Sequence, residues 1–393
     1  MNEIVSKVKK ELFSMYSLSD LSDKELLRLI NSIVLKHSVP ENRQSIVDKV
    51  FSSIRGLGVL DELLLDDEIS EIMINRFDEI FIDRSGIISK TEIAFENEKS
   101  LMDIIQRIVS RSGREVNTSS PIADARLEGG ERVNIVLPPA SIDGPVVTIR
   151  RFPKNRITME DLLKYGTITK EAAELLKNLV IKKFNIFISG GTSSGKTTFL
   201  NALSDYIPKN ERIITIEDSA ELQITGIKNL IRLEARDSNT TGNGEISIRE
   251  LIKASLRMRP DRIIVGEVRG AEAIDMLGAM NTGHDGSLST GHANSSYDML
   301  YRLETMVMQG DISFPIPAIR EYIASSIDII VHLSKNALGK RHVVEISEVE
   351  TIKDGEIVLN PLFVYRNASL IATKNRIKNR EKLGEKDEKE KNL

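Results

Sequence analysis

The sequence predicts an α/β protein whose larger part is built on a mostly parallel sheet, and three observations predict it. From about Thr158 onward, short apolar runs alternate with helical patterns, the rhythm of strand–helix–strand units that cover both faces of a sheet. A glycine-rich stretch, Gly190-Gly-Thr-Ser-Ser-Gly-Lys196-Thr197, stands between one such run and one such helix. Ahead of it, from Phe51 to Arg151, short strands and a helix mix in the manner of a separate, smaller α/β domain.

At 393 residues the chain is long enough for two or three domains, each burying its own core. A hydrophobic share of 40% and a charged share of 28% are those of a soluble globular protein. The net charge of −4 provides no global basic field, so direct nucleic-acid binding is not expected. The absence of cysteine excludes disulfide frameworks and thiolate metal sites. Residues Met1 to Lys10 lack the apolar centre of a signal peptide, and no apolar run is long enough to span a bilayer. The expectation is a cytoplasmic protein whose membrane role, if any, acts through partners.

Residues 1–50 read as a helical segment. Ile4, Val8, Leu12 and Phe13 fall near helical spacing, as do Leu26, Leu27, Leu29, Ile30 and Ile33, and Ser22-Asp23-Lys24-Glu25 fits a capping box before the second run. Residues 51–152 read as the small α/β domain. Its strands are expected at Glu71–Ile74, Ile80–Ile82, Val133–Leu137 and Val146–Ile149, with a helix from Leu101 to Val109. Residues 153–160 are assigned to a linker and 161–373 to the larger domain. There, Asn185–Ser189, Arg212–Ile216 and Arg262–Val265 read as buried strands. Lys196–Asp205, Ile246–Met258 and Ala271–Met280 read as helices. Residues 374–393 are charged, with almost nothing apolar to bury, and read as a disordered tail or a solvated helix end.

The glycine-rich stretch matches G-x-x-x-x-G-K-[ST] in full, which makes Gly190, Gly191, Thr192, Ser193, Ser194, Gly195, Lys196, Thr197 and Thr198 the candidate ATP-binding residues. Its backbone N–H groups can wrap phosphate oxygens at the positive end of the following helix. Lys196 would reach the β- and γ-phosphates and Thr197 would ligate Mg²⁺. An ordinary strand–turn–helix also favours Gly and Ser, but the apolar strand before and the helix after are what the binding mechanism demands. Hydrolysis needs metal-associated and water-orienting carboxylates as well. Glu217 and Glu267 each stand just beyond a buried strand, where the C-terminal ends of a parallel sheet face the ligand crevice.

His284 and His292 share one polar, glycine-broken segment. No cysteine and no helical pairing support a metal site there; a loop histidine or a γ-phosphate sensor is the alternative. Arg132, Arg150 and Arg151 precede the linker and are either strand-end surface charge or arginines that contact nucleotide at a boundary.

With these residues in view, the sequence resembles the secretion ATPases of type II and type IV systems and type IV pili, and most of all the CpaF branch, the Tad/Flp pilus assembly ATPases. Ile216-Glu217-Asp218 resembles that family's Asp box. The run from Arg257 to Gly270 resembles its atypical Walker B, with Glu267 in place of the usual Asp. Asn281-Thr-Gly-His284 followed by Gly291-His292-Ala-Asn294 resembles its His box. Pro121–Leu127, Arg132-Val-Asn134 and Thr148–Phe152 resemble its N-terminal domain. The likeness runs from about Gly56 to Val349.

The resemblance implies a RecA-like P-loop NTPase domain, with ATP and Mg²⁺ as cofactors and Glu217, Glu267 and Lys196 as the catalytic set. It implies Mg²⁺ near Thr197 and Glu267, His292 as phosphate sensor, and Arg132 and Arg150 reaching nucleotide. It further implies a homo-oligomeric ring of six, peripheral to the inner membrane, docked on platform proteins of that membrane and driving pilus assembly or secretion. Two departures stand out. The family's branch usually carries Thr-Ile-His where this chain has Thr290-Gly291-His292, and Asp237-Ser238 replaces a common Pro-Pro. A conjugation or type IV secretion ATPase is the alternative on the same chemistry. A nucleotide-gated scaffold without productive hydrolysis is the alternative of another class.

Overall fold

The structure is a computed structural model that describes residues 2–16, 21–37, 42–84, 86–112, 114–151, 156–236, 244–310, 314–336 and 339–384. The chain divides into two compact units, Met1–Lys154 and Asn155–Leu393.

The first unit opens with three helices, α1 (Asn2–Met15), α2 (Asp23–His37) and α3 (Arg43–Arg55). Val8, Leu12, Leu26, Ile30, Ile46, Val47 and Val50 close on one another as a core of their own. The expected capping box forms, with Ser22 N–H donating to Glu25 Oε2 (2.9 Å) and Glu25 N–H to Ser22 Oγ (3.4 Å). Phe13, read with the apolar set, is instead 61% exposed.

Then come α4 (Leu60–Leu65), β1 (Ile69–Arg76), β2 (Glu79–Arg84), β3 (Ile87–Lys90), α5 (Glu98–Arg111), β4 (Ile122–Arg126), β5 (Arg132–Val136) and β6 (Val146–Arg150). The strands make an antiparallel sheet in the order β3-β2-β1-β6-β5-β4. Its inward residues, Ile72, Ile74, Ile80, Val133, Ile135, Val147 and Ile149, alternate with solvated ones and pack on Leu101, Ile104, Ile105 and Ile108 of α5.

The second unit runs α6 (Met159–Lys164), α7 (Lys170–Ile181), β7 (Ile186–Gly190), α8 (Lys196–Ser204), β8 (Arg212–Glu217), β9 (Asn229–Glu234), α9 (Ile248–Ser255), β10 (Arg262–Val265), α10 (Ala273–Asn281) and β11 (Leu288–His292). It continues through α11 (Ser296–Gly310), α12 (Ile316–Ser326), β12 (Ile329–Lys335), β13 (Arg341–Lys353), β14 (Glu356–Arg366), β15 (Ser369–Ala372) and α13 (Arg380–Leu383). Nine strands order as β15-β14-β13-β12-β7-β11-β10-β8-β9. From β12 to β9 every pairing is parallel; β12 to β15 are antiparallel. This is the mixed, largely parallel α/β architecture that the strand–helix rhythm predicts.

Both faces of the parallel part are covered. Ile186, Ile188 and Leu288 pack under α7 and α8, while Phe187, Ile214, Ile216, Ile263 and Val265 pack under α9 to α12. Full burial of each such side chain is worth roughly 1.5–3 kcal/mol.

Three expectations are revised. Helix α9 begins at Ile248, because Ile246 pairs as a β-bridge with Arg236 and Ser247 caps the helix. The segment assigned to linker already holds the start of α6, capped by Thr158, while Phe152–Asn155 lies outside the described residues. The charged segment after Thr373 is structured as far as Gly384. Ile377 is buried, Lys378 and Asn379 donate their N–H groups to the Glu348 carboxylate, and the Lys382 ammonium sits 2.7 Å from both Asp285 and Asp328. Among the described residues no helix is long and apolar enough to cross a membrane.

Candidate functional site

Strand β7 delivers the glycine-rich loop at the C-terminal edge of the parallel sheet. Gly190 closes the strand, paired with His292 of β11 on one side and Leu333 of β12 on the other. A Cβ at Gly190 would lie 2.5 Å from both the Leu333 carbonyl and Ser194 Oγ, so this position has no room for a side chain. Ser193 (φ 57°) and Gly195 (φ 95°) take left-handed backbone conformations, which turn the chain into α8 at Lys196. Arg341, at the start of β13, donates Nε–H to the Ser193 carbonyl (2.9 Å) and braces the turn.

Lys196 is 7% exposed, and its ammonium donates to the carbonyls of Gly190 (3.2 Å) and Gly191 (3.1 Å). Burial pulls its pKa below that of an ordinary lysine; the Glu267 carboxylate opposes the shift and Arg269 adds to it. Thr197 and Thr198 follow in the first turn of α8, both half-buried. The loop separates two cavities. One, of about 490 Å³, is lined by Gly191, Thr192, His292, Asn294 and Arg302 among others. The other, of about 220 Å³, lies among Ser194, Gly195, Thr198, Phe199, Tyr165 and Lys340.

The two carboxylates arrive on neighbouring parallel strands. Glu217 ends β8 and is 3% exposed. Its Oε1 accepts from the N–H groups of Glu221 (2.8 Å) and Leu222 (2.7 Å), while Oε2 is buried with no partner among the described residues. Burial outweighs those two hydrogen bonds and pushes its pKa up to about 7. Glu267 stands two residues beyond β10, and its Oε2 accepts from Arg269 Nη2 at 2.7 Å. A Cβ on Gly266 would come within 2.9 Å of Glu217 Cγ, so the two carboxylate-bearing segments touch.

His292, at the end of β11, completes the group. Its Nε2 is 2.9 Å from Glu267 Oε1, close but without the alignment of a hydrogen bond, and its ring nitrogens are 3.4 and 3.5 Å from Lys196 Nζ. Burial first, then the Lys196 charge, hold the imidazole below its ordinary pKa and therefore neutral at pH 7.

His284 is not brought to this group. It precedes β11, whose first residue Leu288 pairs with Ile186, the first residue of β7, whereas His292 pairs with Gly190 at the last. The two histidines thus lie at opposite edges of the sheet, because the extended strand between them carries one away from the other. Around His284 the structure shows a polar seam instead. Asn185 there accepts from the N–H groups of Gly286 and Ser287 and donates to the Met280 and Ser326 carbonyls.

Arg132 and Arg150 belong to the first unit, where they are direct cross-strand partners on β5 and β6. Arg126 of β4 is in turn the partner of Arg132, and Glu71 of β1 that of Arg150. Three arginines therefore share one rung. Arg126 carries no role in the sequence reading, although it stands within the quoted stretch from Pro121 to Leu127. Arg269, which bridges Glu267 and Asp218 (Nη1–Oδ2 3.6 Å), was likewise inside a recognised motif without a role.

Residues 54–362 match the family described as type II/IV secretion system protein. The chain belongs to that family. The match leaves α1 and α2 outside it. A Mycobacterium tuberculosis protein named for conjugal transfer is 32% identical over 302 residues, 75% of this chain and 85% of that protein. The type IV secretion system protein PtlH of Bordetella pertussis is 32% identical over 315 residues, 74% of this chain and 93% of its own length. Among solved structures, the pilus retraction motor PilT with bound ADP shares the fold at 21% identity and a TM-score of 0.56, over 77% of this chain and 82% of that one. The Legionella pneumophila ATPase DotB does so at 21% and 0.51, over 76% and 80%.

Within this family member, the departure at Gly291 has a packing cause. A Cβ there would lie 2.9 Å from Phe187 Cε1 and 3.0 Å from Met299 Sδ. The departure at Asp237-Ser238 lies outside the described residues.

Proposed function

We propose that this secretion-family chain is a Mg-ATP-hydrolysing motor of a type IV secretion or conjugation apparatus. The observation that carries the chemistry is the convergence of Glu267 and His292 on the Lys196 ammonium at the C-terminal edge of the sheet. Lys196, already lodged among loop carbonyls, would turn to the β- and γ-phosphate oxygens. The loop's backbone and the N-terminus of α8 would take the remaining phosphate charge. The cavity beside Thr198 and Phe199 offers apolar walls and the Tyr165 and Lys340 side chains for base and ribose.

Mg²⁺ fits the donors present. Among the described residues no three His, Asp or Glu side chains gather to hold an ion by themselves. The Thr197 hydroxyl and the Glu267 carboxylate, whose Oε1 is buried without a hydrogen bond, are the hard oxygen ligands of a metal that arrives on phosphate. Bound there it would offset the negative charge of the β- and γ-phosphate oxygens. Glu267 would also orient the attacking water, with Arg269 fixing its second oxygen. Glu217, held near neutrality, would be the group able to take or return a proton at pH 7. The neutral His292 would report the γ-phosphate by a hydrogen bond that cleavage removes.

The relatives named for conjugal transfer and type IV secretion each align over about three-quarters of this chain, and they favour that apparatus over the Tad/Flp pilus. Assembly as a ring of six on membrane platform proteins, and contact of Arg132 and Arg150 with nucleotide, belong to the same reading. The purified full chain should hydrolyse ATP with Mg²⁺. Glu267→Gln should lose turnover by a factor of about 10² or more while still binding ATP. Robust turnover by that variant would sink the role given to Glu267. Genes for prepilin, prepilin peptidase and platform proteins beside this one would return the cargo to a pilus.

A further inference from the structure

His332 is one of five histidines in the chain, and it sits between the strand that feeds the phosphate loop and the segment that follows His292. It lies on β12 at the rung where that strand meets Ser189 of β7 on one side and Glu345 of β13 on the other. Two residues earlier on the same strands, Ile330 and Phe187 belong to the core beneath α10 to α12, so His332 and Ser189 point to that same helix-covered face. The side chain is 5% exposed.

Its Nδ1 is 2.8 Å from Ser189 Oγ, and the ring also hydrogen-bonds the backbone of Asn294. Charged groups facing it are Glu345 from β13, Asp298 from α11 and Lys196 from α8. Burial keeps the imidazole neutral, with one donor and one acceptor. Its N–H then donates to the Asn294 carbonyl, and Nδ1 accepts from the Ser189 hydroxyl. Both polar ends are satisfied, as a buried histidine requires.

What the bridge joins gives it meaning. Ser189 immediately precedes Gly190, whose carbonyl accepts from Lys196 Nζ (3.2 Å) and from Ala293 N–H (3.4 Å). Asn294 follows His292 by two residues and lines the cavity in front of the loop. One imidazole therefore ties the strand that feeds the phosphate loop to the chain that leaves His292. The face it lies on also carries the core that holds Phe187, Ile330 and Met299, so a hydrocarbon at this position would serve packing alone.

We propose that His332 is a positioning residue that locks the His292–Asn294 segment to the Ser189–Gly190 strand end, so that a shift of His292 on gain or loss of the γ-phosphate is passed to the phosphate loop. This rests on the ATPase reading above. The test uses the full chain with Mg-ATP and Mg-ADP. His332→Leu keeps the volume and removes both hydrogen bonds; His332→Gln can donate to Asn294 and accept from Ser189; Ser189→Ala removes one end.

His332→Leu should lower kcat about tenfold with KM changed less than about twofold. His332→Gln should recover at least about half of the wild-type kcat, and Ser189→Ala should fall between. In the wild type, the His332 ring resonances should move when Mg-ADP is added, and in Ser189→Ala that movement should be lost. Unchanged kcat in His332→Leu with a silent His332 ring would overturn the proposal. So would a loss that tracks falling thermal stability and is not restored by Gln. If the wild type binds ADP but does not turn over ATP, the hydrolysis reading fails by itself, and the ring response still decides the coupling. If His332→Leu does not fold, the Gln and Ser189→Ala arms carry the same decision.

Discussion

Glu217 is the residue whose environment and charge are most at odds. Two backbone N–H groups favour its carboxylate, and full burial with one orphaned oxygen disfavours it more. An ordinary glutamate titrates at 4.5, and this one at about 7. The folded state therefore holds a proton over a pH range in which the unfolded chain has released it. The stability this contributes is fully present below the unfolded value and is lost as pH rises through the folded one. Measured without nucleotide, the unfolding free energy of the wild type relative to Glu217→Gln should fall by on the order of 3 kcal/mol between pH 5 and pH 8. A difference that stays flat across that range would mean that Glu217 is ionised throughout and cannot exchange a proton near neutrality. His292 runs the other way. Its depressed pKa makes the fold lose stability as pH drops through the unfolded histidine value, which separates the two titrations experimentally.

At the scale of elements, the site is held by close approach as much as by hydrogen bonds. Gly291 in β11 lets the Phe187 ring and the Met299 side chain meet over the strand that ends in His292. Gly291→Ile should destabilise the protein by about 1–3 kcal/mol through overpacking, read as a lowered thermal midpoint. Gly291→Ala should cost less, because the thioether can swing away. A stable Ile variant would show that Met299 and Phe187 repack freely.

The same strands show where sequence was informative. β7 and β10 are short and wholly buried, β8 is buried from Ile213 on, and such mainly apolar runs announce themselves. The phosphate loop was legible residue by residue. The hairpin β13–β14 was not, because its buried positions include Ser347, Glu348 and Asn360, and polar residues inside a sheet erase the hydrophobic period. Glu348 in turn orders the charged segment at Lys378 and Asn379, which composition alone reads as solvated. His284 looked equivalent to His292 because motif spacing does not say that an extended strand separates them by the height of the sheet.

For the whole molecule, the first unit presents an arrangement that folding does not call for. Arg126, Arg132 and Arg150 occupy consecutive strands at one rung, with Glu71 the single carboxylate directly opposite on the next strand. Like charges facing each other across strands weaken a sheet by roughly 0.2–1 kcal/mol per pair where nothing offsets them, and Arg126 and Arg132 each have an interaction partner within the chain. The core beneath depends on Val133, Ile135, Val147 and Ile149, not on the arginines. Arg150, the exposed member, is therefore the informative one to remove. Arg150→Ala should leave the thermal midpoint nearly unchanged, since the side chain is exposed and outside the core. If the row serves the triphosphate, the same variant should lower kcat/KM for ATP by a factor of about 10 to 10³, short of a complete arginine finger because Arg132 remains. Arg150→Lys should rescue it poorly, because an ammonium lacks the planar fork that grips two phosphate oxygens at once. Wild-type turnover in Arg150→Ala would detach the row from the nucleotide. A parallel loss of stability and activity would make it a structural feature of the sheet.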